Sequence, residues 1–210
     1  MSGLTPQVRV EDAARLRELF GEPHKIVLEV IKPRLDEQHK RYIRNSPFIC
    51  IASAGADGQP AVSPRGDAPG FVRIIDDNTL VIPDRPGNNK ILTYQNLVQN
   101  PQVALIFFVP GVNETLRLEG QAKLVLDPEI LAFGKIGAKL PPAALVVTVK
   151  RVYVHCGKSL IRSDLWNPAK RAAPGAVPTL AEITRDHGHT PVSLEDAQRQ
   201  VDVLYRDTLY

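Results

Sequence analysis

The feature that most constrains this chain is a series of short apolar segments between residues 47 and 156, each bounded by turn-forming residues. FICIASA (48–54) is followed by Asp57-Gly58 and then by QPAVSPR (59–65). Asp-Gly between two such segments predicts a hairpin, because Gly takes the positive φ of a tight turn without steric cost. FVRIID (71–76) and TLVIP (79–83) flank a second turn signal, Asp77-Asn78, and Asp76-Asp77 read as turn formers. VALIFFV (103–109) is apolar throughout, the pattern of a strand buried on both faces. ETLRLEGQAKLV (114–125) and ALVVTVKRVYVHC (144–156) alternate instead, as half-buried strands do.

Helical patterning surrounds these strands. Ala13, Leu16, Leu19 and Phe20 form one apolar face, and Leu35, Tyr42 and Ile43 form another beyond Pro33. KILTYQNLVQN (90–100) predicts a helix stopped by Pro101, and DPEILAFGKIG (127–137) one capped by Asp127 with Pro128 in its first turn. A Pro- and Ala-rich loop (167–178) precedes two short helices. The last starts at Ser193, with Asp196 three residues on and Leu194, Ala197, Val201, Leu204 and Tyr205 on its apolar face. The chain thus divides into a helical extension (1–46), a strand-rich core (47–166) and a tail of loop and helices packed on it (167–210). The fold class expected is α+β, mainly β with flanking helices. Six or so mostly antiparallel strands, with a helix inserted after the fourth, suggest a small closed barrel, since closure removes exposed sheet edges.

Composition excludes several functions. No apolar run approaches the ~20 residues of a membrane span. The N-terminus lacks the pattern of a secretory signal. The expectation is a cytoplasmic protein without a membrane role. A net charge of +3, from 26 basic and 23 acidic residues, does not predict nucleic-acid binding. Cys50 lies in an apolar strand and reads as a reduced core thiol. Cys156 follows His155 directly, and neighbours on a strand face opposite ways, so the two do not form a catalytic pair. His187-Gly188-His189 has no third ligand nearby and reads as a solvated loop, so no metal is expected. No motif demands an acid, base or nucleophile, and no catalytic residue is assigned.

The stretch richest in chemistry is TLVIPDRPGNNKILTYQNL (79–97). A strand ends at Pro83, and the loop Asp84-Arg85-Pro86-Gly87-Asn88-Asn89 leads straight into a helix near Lys90. A helix N-terminus presents unpaired N–H groups and the positive end of its dipole, which attract phosphate. Gly87 permits close backbone approach, Asn88 and Asn89 carry amide donors, and Arg85 and Lys90 carry charge. An ordinary strand–helix connection with solvated cations is the plain alternative. SPRGD (63–67), at the end of the preceding hairpin, adds Arg65, whose planar guanidinium suits bidentate phosphate binding. Arg65 and Lys90 can converge on one dianion if their strands are neighbours.

The run SPRGDAPGFVR, TLVIPDRPGNNK, QNPQVALIFF and ETLRLEG closely resembles FMN-binding proteins related to pyridoxamine phosphate oxidase, over roughly residues 45–166. The resemblance implies a split β-barrel that binds FMN and works as a homodimer, with the flavin at the interface. It implies that Arg65, with Ser63, Pro64 and Gly66 about it, holds the FMN phosphate. Lys90 matches the family's Lys, and Asn88 and Asn89 lie beside it after Pro83 and Asp84. Asn89 stands where the oxidase has Arg, so one charge is lost, for which Arg85 is a candidate replacement. Thr115 corresponds to the family's Gln near the isoalloxazine. CGKSLIRSDLW (156–166) resembles a segment carrying Lys, Arg and Trp near the flavin. By that analogy Lys158 lies near the cofactor and Trp166 reaches the partner's flavin, with a core or interface aromatic as the plain alternative; Arg162, four residues on from Lys158, can share its helical face or be a surface charge. The final segment LEDAQRQVDVLYRDTLY lacks the oxidase's substrate-binding Arg and His with their closing Arg-Leu-x-Pro, and the loop after Trp166 has no matching Arg-x-His pattern. The resemblance therefore does not extend to pyridoxamine phosphate as substrate. The expected activity is an FMN-dependent oxidoreductase acting on a small molecule. The alternatives are a flavin carrier or redox sensor, or a relative that binds haem or a deazaflavin.

Overall fold

Seven strands pair entirely antiparallel in the order β2-β1-β5-β6-β7-β4-β3. They are β1 (Phe48–Ala54), β2 (Pro60–Gly66), β3 (Arg73–Ile74), β4 (Thr79–Pro83), β5 (Gln102–Phe108), β6 (Thr115–Val125) and β7 (Ala144–His155). The computed structural model describes residues 12–188 and 192–210, so His189 of the His-Gly-His string lies outside the described residues. The architecture is a split β-barrel with flanking helices. The ladder is not closed, and the expected full closure gives way to two edges that are blunted locally. β2 carries Pro60 and Pro64, which cannot donate to a further strand, and β3 is only two residues long.

Alternation along the strands places Ile49, Ile51, Leu105, Phe107, Leu116, Leu118 and Val147 in one core with almost no exposure. The apolar run in β5 is not buried on both faces as expected. Val103, Leu105 and Phe107 are buried, whereas Ala104, Ile106 and Phe108 stay half-exposed. Cys50 lies on the same outer face of β1, free and half-buried rather than in the core, and Cys156 is free and exposed.

The chain forms two compact units divided between Ile31 and Lys32. The described part of the first holds α1 (Ala13–Phe20), capped by Asp12, and α2 (Lys25–Glu29), and neither helix buries a residue. In the second unit, α3 (Glu37–Asn45) buries His39 and Ile43. It is tied to the β3–β4 turn through Lys40 Nζ and Asp77 Oδ1 at 2.7 Å, so Asp77 does more than form a turn. α4 (Leu92–Gln99) packs on β1, β2 and β6, with Asn96 Nδ2 donating to Ser53 Oγ at 3.1 Å. After α5 (Pro128–Leu131) and a 3₁₀ turn at Ala132–Gly134, the tail forms α6 (Lys158–Ser163), α7 (Leu180–His187) and α8 (Leu194–Asp207). Ser193 caps α8 as expected, but only Ala197 of its apolar face is buried. Among the described residues, no helix is long and apolar enough to cross a membrane.

Candidate functional site

β4 is buried to its end at Pro83, and the chain leaves the sheet at Asp84, whose N–H donates to Ala143 O at 2.9 Å. From there the loop turns into α4. Asn88 Oδ1 accepts from the Lys90 N–H at 3.1 Å, which shapes the turn. Asn89 (φ 55°) and Ile91 (φ 46°) take left-handed conformations, unusual for a β-branched residue such as Ile91. Such strain persists where the surroundings enforce it, and it is common at ligand sites. The helix begins at Leu92 rather than Lys90, and Ile91 offers no side-chain cap. The N–H groups of Leu92 and Thr93 therefore have no acceptor among the described residues. They face outward from a helix N-terminus, where an anion is stabilised.

Edge strand β2 brings Ser63, Pro64, Arg65 and Gly66 against this loop, enclosing a cavity of about 450 Å³. Asp84, Asn88, Asn89 and Lys90 line the same cavity, so eight of the twelve expected cofactor-binding residues converge. Pro83 stands just behind it, packed so closely on Gly134 that a Cβ there would lie 2.3 Å away.

The cavity's charges are already arranged. Arg65 Nη1 lies 3.3 Å from Asp84 Oδ1, and its guanidinium sits 5.3 Å from the Tyr94 ring centroid. The Tyr94 hydroxyl donates to the same Asp84 oxygen. Burial, reinforced by that bond, pushes the Tyr94 hydroxyl well above its usual range, so it stays a protonated donor. Arg85, the candidate replacement for the charge lost at Asn89, lines the same cavity but is paired with Asp67. Its Nε holds Asp67 Oδ2 at 2.6 Å, and its Nη1 donates to Gly134 O at 2.9 Å. Tyr210 caps the other Asp67 oxygen at 3.0 Å. Burial works to raise the Asp67 pKa, but Arg85, the Ala68 N–H and Tyr210 outweigh it and hold the carboxyl below its ordinary value. Lys90 is exposed and has no ion-pair partner among the described residues.

A family model described as pyridoxamine 5'-phosphate oxidase matches residues 35–156, more than half of the chain. The chain belongs to this family. No curated protein sequence matches it. Among solved structures it is similar to HupZ of Group A Streptococcus, at 21% identity over 57% of this chain and 93% of that one, with a TM-score of 0.46. It is similar to a putative pyridoxamine 5'-phosphate oxidase of Lactobacillus delbrueckii, at 21% identity over 58% of this chain and 95% of that one, TM-score 0.45. It is also similar to HutZ, the heme storage protein of Vibrio cholerae, at 19% identity over 58% of this chain and 94% of that one, TM-score 0.40.

The positions expected at the flavin ring lie apart from the cavity within one chain. Arg65 pairs with Ile49, Ile49 with Phe107 and Phe107 with Leu116, so Arg65 and Leu116 share a sheet face. Thr115 neighbours Leu116 and so points to the opposite face, three strand spacings or roughly 14 Å from Arg65. It is buried. Lys158 is exposed in the first turn of α6. Trp166 is half-buried, donates from Nε1 to Val112 O at 2.9 Å, and lines a separate cavity of about 240 Å³ with Gly111, Asn113 and Leu160. Sequence reading missed Tyr94 and the Asp67–Arg85 pair. An aromatic residue in the first helical turn after the loop was the available signal for Tyr94; Asp67 carried none beyond its place beside Arg65.

Proposed function

We propose that this chain is an FMN-dependent oxidoreductase that acts as a homodimer on a small-molecule substrate. The observation that carries the reading is the cavity in which Arg65, Lys90, the Asn88 and Asn89 amides and two unpaired helical N–H groups meet. That donor set fits a phosphate monoester: charge at two points, neutral donors between them, and a helix N-terminus behind. When bound, FMN supplies the electron and hydride chemistry. The protein's part is to bind, orient and shield. Arg65 and Lys90 neutralise the phosphate. Lys158 and Trp166 meet the ring at the subunit interface, which accounts for their distance from the cavity within one chain, whereas Thr115 is buried within the chain. The free state of both cysteines suits the reducing cytoplasm, where we place the protein.

The visible spectrum of purified protein tests the reading. A flavin spectrum, present as isolated or after adding FMN, and weaker binding of FAD are expected, since the cavity has no second glycine-rich loop for an adenylate. A haem Soret band, or FAD binding as tight as FMN, overturns it. Bound FMN without turnover of a reduced nicotinamide and an acceptor makes the protein a flavin carrier or redox sensor instead.

A further inference from the structure

The cavity contains a group that an anion site should avoid. Asp84 lines it with its side chain only 18% exposed, and its N–H bond to Ala143 O fixes the backbone from which the carboxylate projects. Oδ1 is occupied by Arg65 and Tyr94. Among the described residues nothing donates to Oδ2. A phosphate that recruits Arg65 comes close to this carboxylate, and like charges at short range in a partly dry cavity repel strongly. Arg85 also lines the cavity, but its charge is shared with Asp67 Oδ2 at 2.6 Å. A ligand that brings a donor to the free Oδ2 turns this repulsion into a contact.

We infer that Asp84 accepts a hydrogen bond from a hydroxyl near the ligand's phosphate, and so makes the cavity select polyol phosphates over phosphates without hydroxyls. The ribityl chain of FMN has such hydroxyls, so the inference rests on the phosphate placement proposed above. Tyr94 keeps Oδ1 occupied, which leaves Oδ2 for the ligand. Asp84 thus acts as a specificity-determining residue rather than a mere holder of Arg65.

Titration calorimetry of the full chain with two ring-free probes tests this. Ribitol 5-phosphate and methyl phosphate carry the same dianion, but only the first has hydroxyls. A charge-assisted hydrogen bond predicts that wild type prefers ribitol 5-phosphate by roughly tenfold or more. In Asp84→Asn, methyl phosphate should bind more tightly and ribitol 5-phosphate more weakly, so that the ratio falls toward one. Equal weakening of both probes would show that Asp84 only positions Arg65, and no change would show that it does not face the ligand. Either result overturns the inference. So does a wild-type ratio near one, a measurement that needs no variant to fold. A chain that prefers ribitol 5-phosphate yet refuses FMN overturns the flavin reading and leaves this one standing. One that binds FMN without the preference does the reverse.

Discussion

At the scale of single residues, Arg65 and Lys90 differ in a way the sequence did not reveal. Arg65 is half-buried and paired with Asp84, whereas Lys90 is exposed. Charge-assisted hydrogen bonds contribute about 1.5–3 kcal/mol, so losing either residue should weaken FMN binding by roughly tenfold to a hundredfold. Arg65→Ala belongs at the upper end, because it also leaves Asp84 uncompensated beside the phosphate. Lys90→Ala belongs at the lower end, because solvent and salt screen an exposed charge. Riboflavin, which lacks the phosphate, should bind weakly and respond to neither change. Equal losses for FMN and riboflavin would place both residues at the ring or in the fold. Gly87 sharpens the test. Its φ is not in the left-handed region, and an added Cβ would meet only Arg85 O, at 4.0 Å. The fold does not need glycine there, whereas a backbone approached by phosphate does. Gly87→Ala should therefore leave thermal stability within about 0.5 kcal/mol while weakening FMN binding in the same titration.

Elements were legible in proportion to how local their causes are. β1, β4, β6 and β7 lie within a residue or two of the segments read from alternation, because period-two patterning and hairpin residues act within each segment. FVRIID shrank to Arg73–Ile74, since the Phe71 N–H closes a turn on Ala68 O and the Ile75 N–H bonds Thr79 O at the hairpin turn. α4 starts two residues late because Asn89 and Ile91 take left-handed conformations, which side-chain periodicity does not encode. Which expected site residues meet depended on register, a non-local property. One residue's difference in parity sends Arg65 and Thr115 to opposite faces. Gly120 exposes another non-local constraint. It sits at the irregularity between Glu119 and Gly120 in the β6–β7 ladder, and a Cβ there would lie 2.3 Å from Thr148 O. That oxygen is backbone and cannot rotate away. Gly120→Ala should cost about 1–3 kcal/mol, read as a lower midpoint in thermal unfolding. Set beside Gly87→Ala, it separates a glycine the sheet requires from one the ligand requires.

At the scale of the whole molecule, β5 presents a contradiction that the proposed second copy would resolve. VALIFFV is apolar at every position, yet Ile106 and Phe108 remain half-exposed in the single chain. They are not isolated. Ile106 is in register with Cys50 and Pro64, Phe108 with Phe48 and Gly66, and Ala104 with Ala52 and Val62. Three apolar rows thus cross β5, β1 and β2 on the outer face, where Val62 is 68% and Phe48 40% exposed. Toward β6 and β7 the same face turns polar, with Arg117 over the Tyr153 ring and Arg151 paired to Glu119 at 3.2 Å. An apolar centre with a charged rim is the anatomy of a subunit interface. In the proposed dimer, a flavin held at the phosphate by one subunit would meet Lys158 and Trp166 across the boundary. Light scattering of the flavin-loaded protein should give the mass of a dimer. Ile106→Glu places a charge in the middle row, where it must be desolvated for the subunits to meet. It should yield a folded monomer, because the same position faces solvent in part within the single chain. That monomer should lose most of its FMN affinity and keep its affinity for ribitol 5-phosphate, which uses the cavity alone. A flavin-loaded monomer of the wild-type chain, or an Ile106→Glu protein that remains dimeric, would remove this face from the interface and return the ring-side residues to an unassigned role.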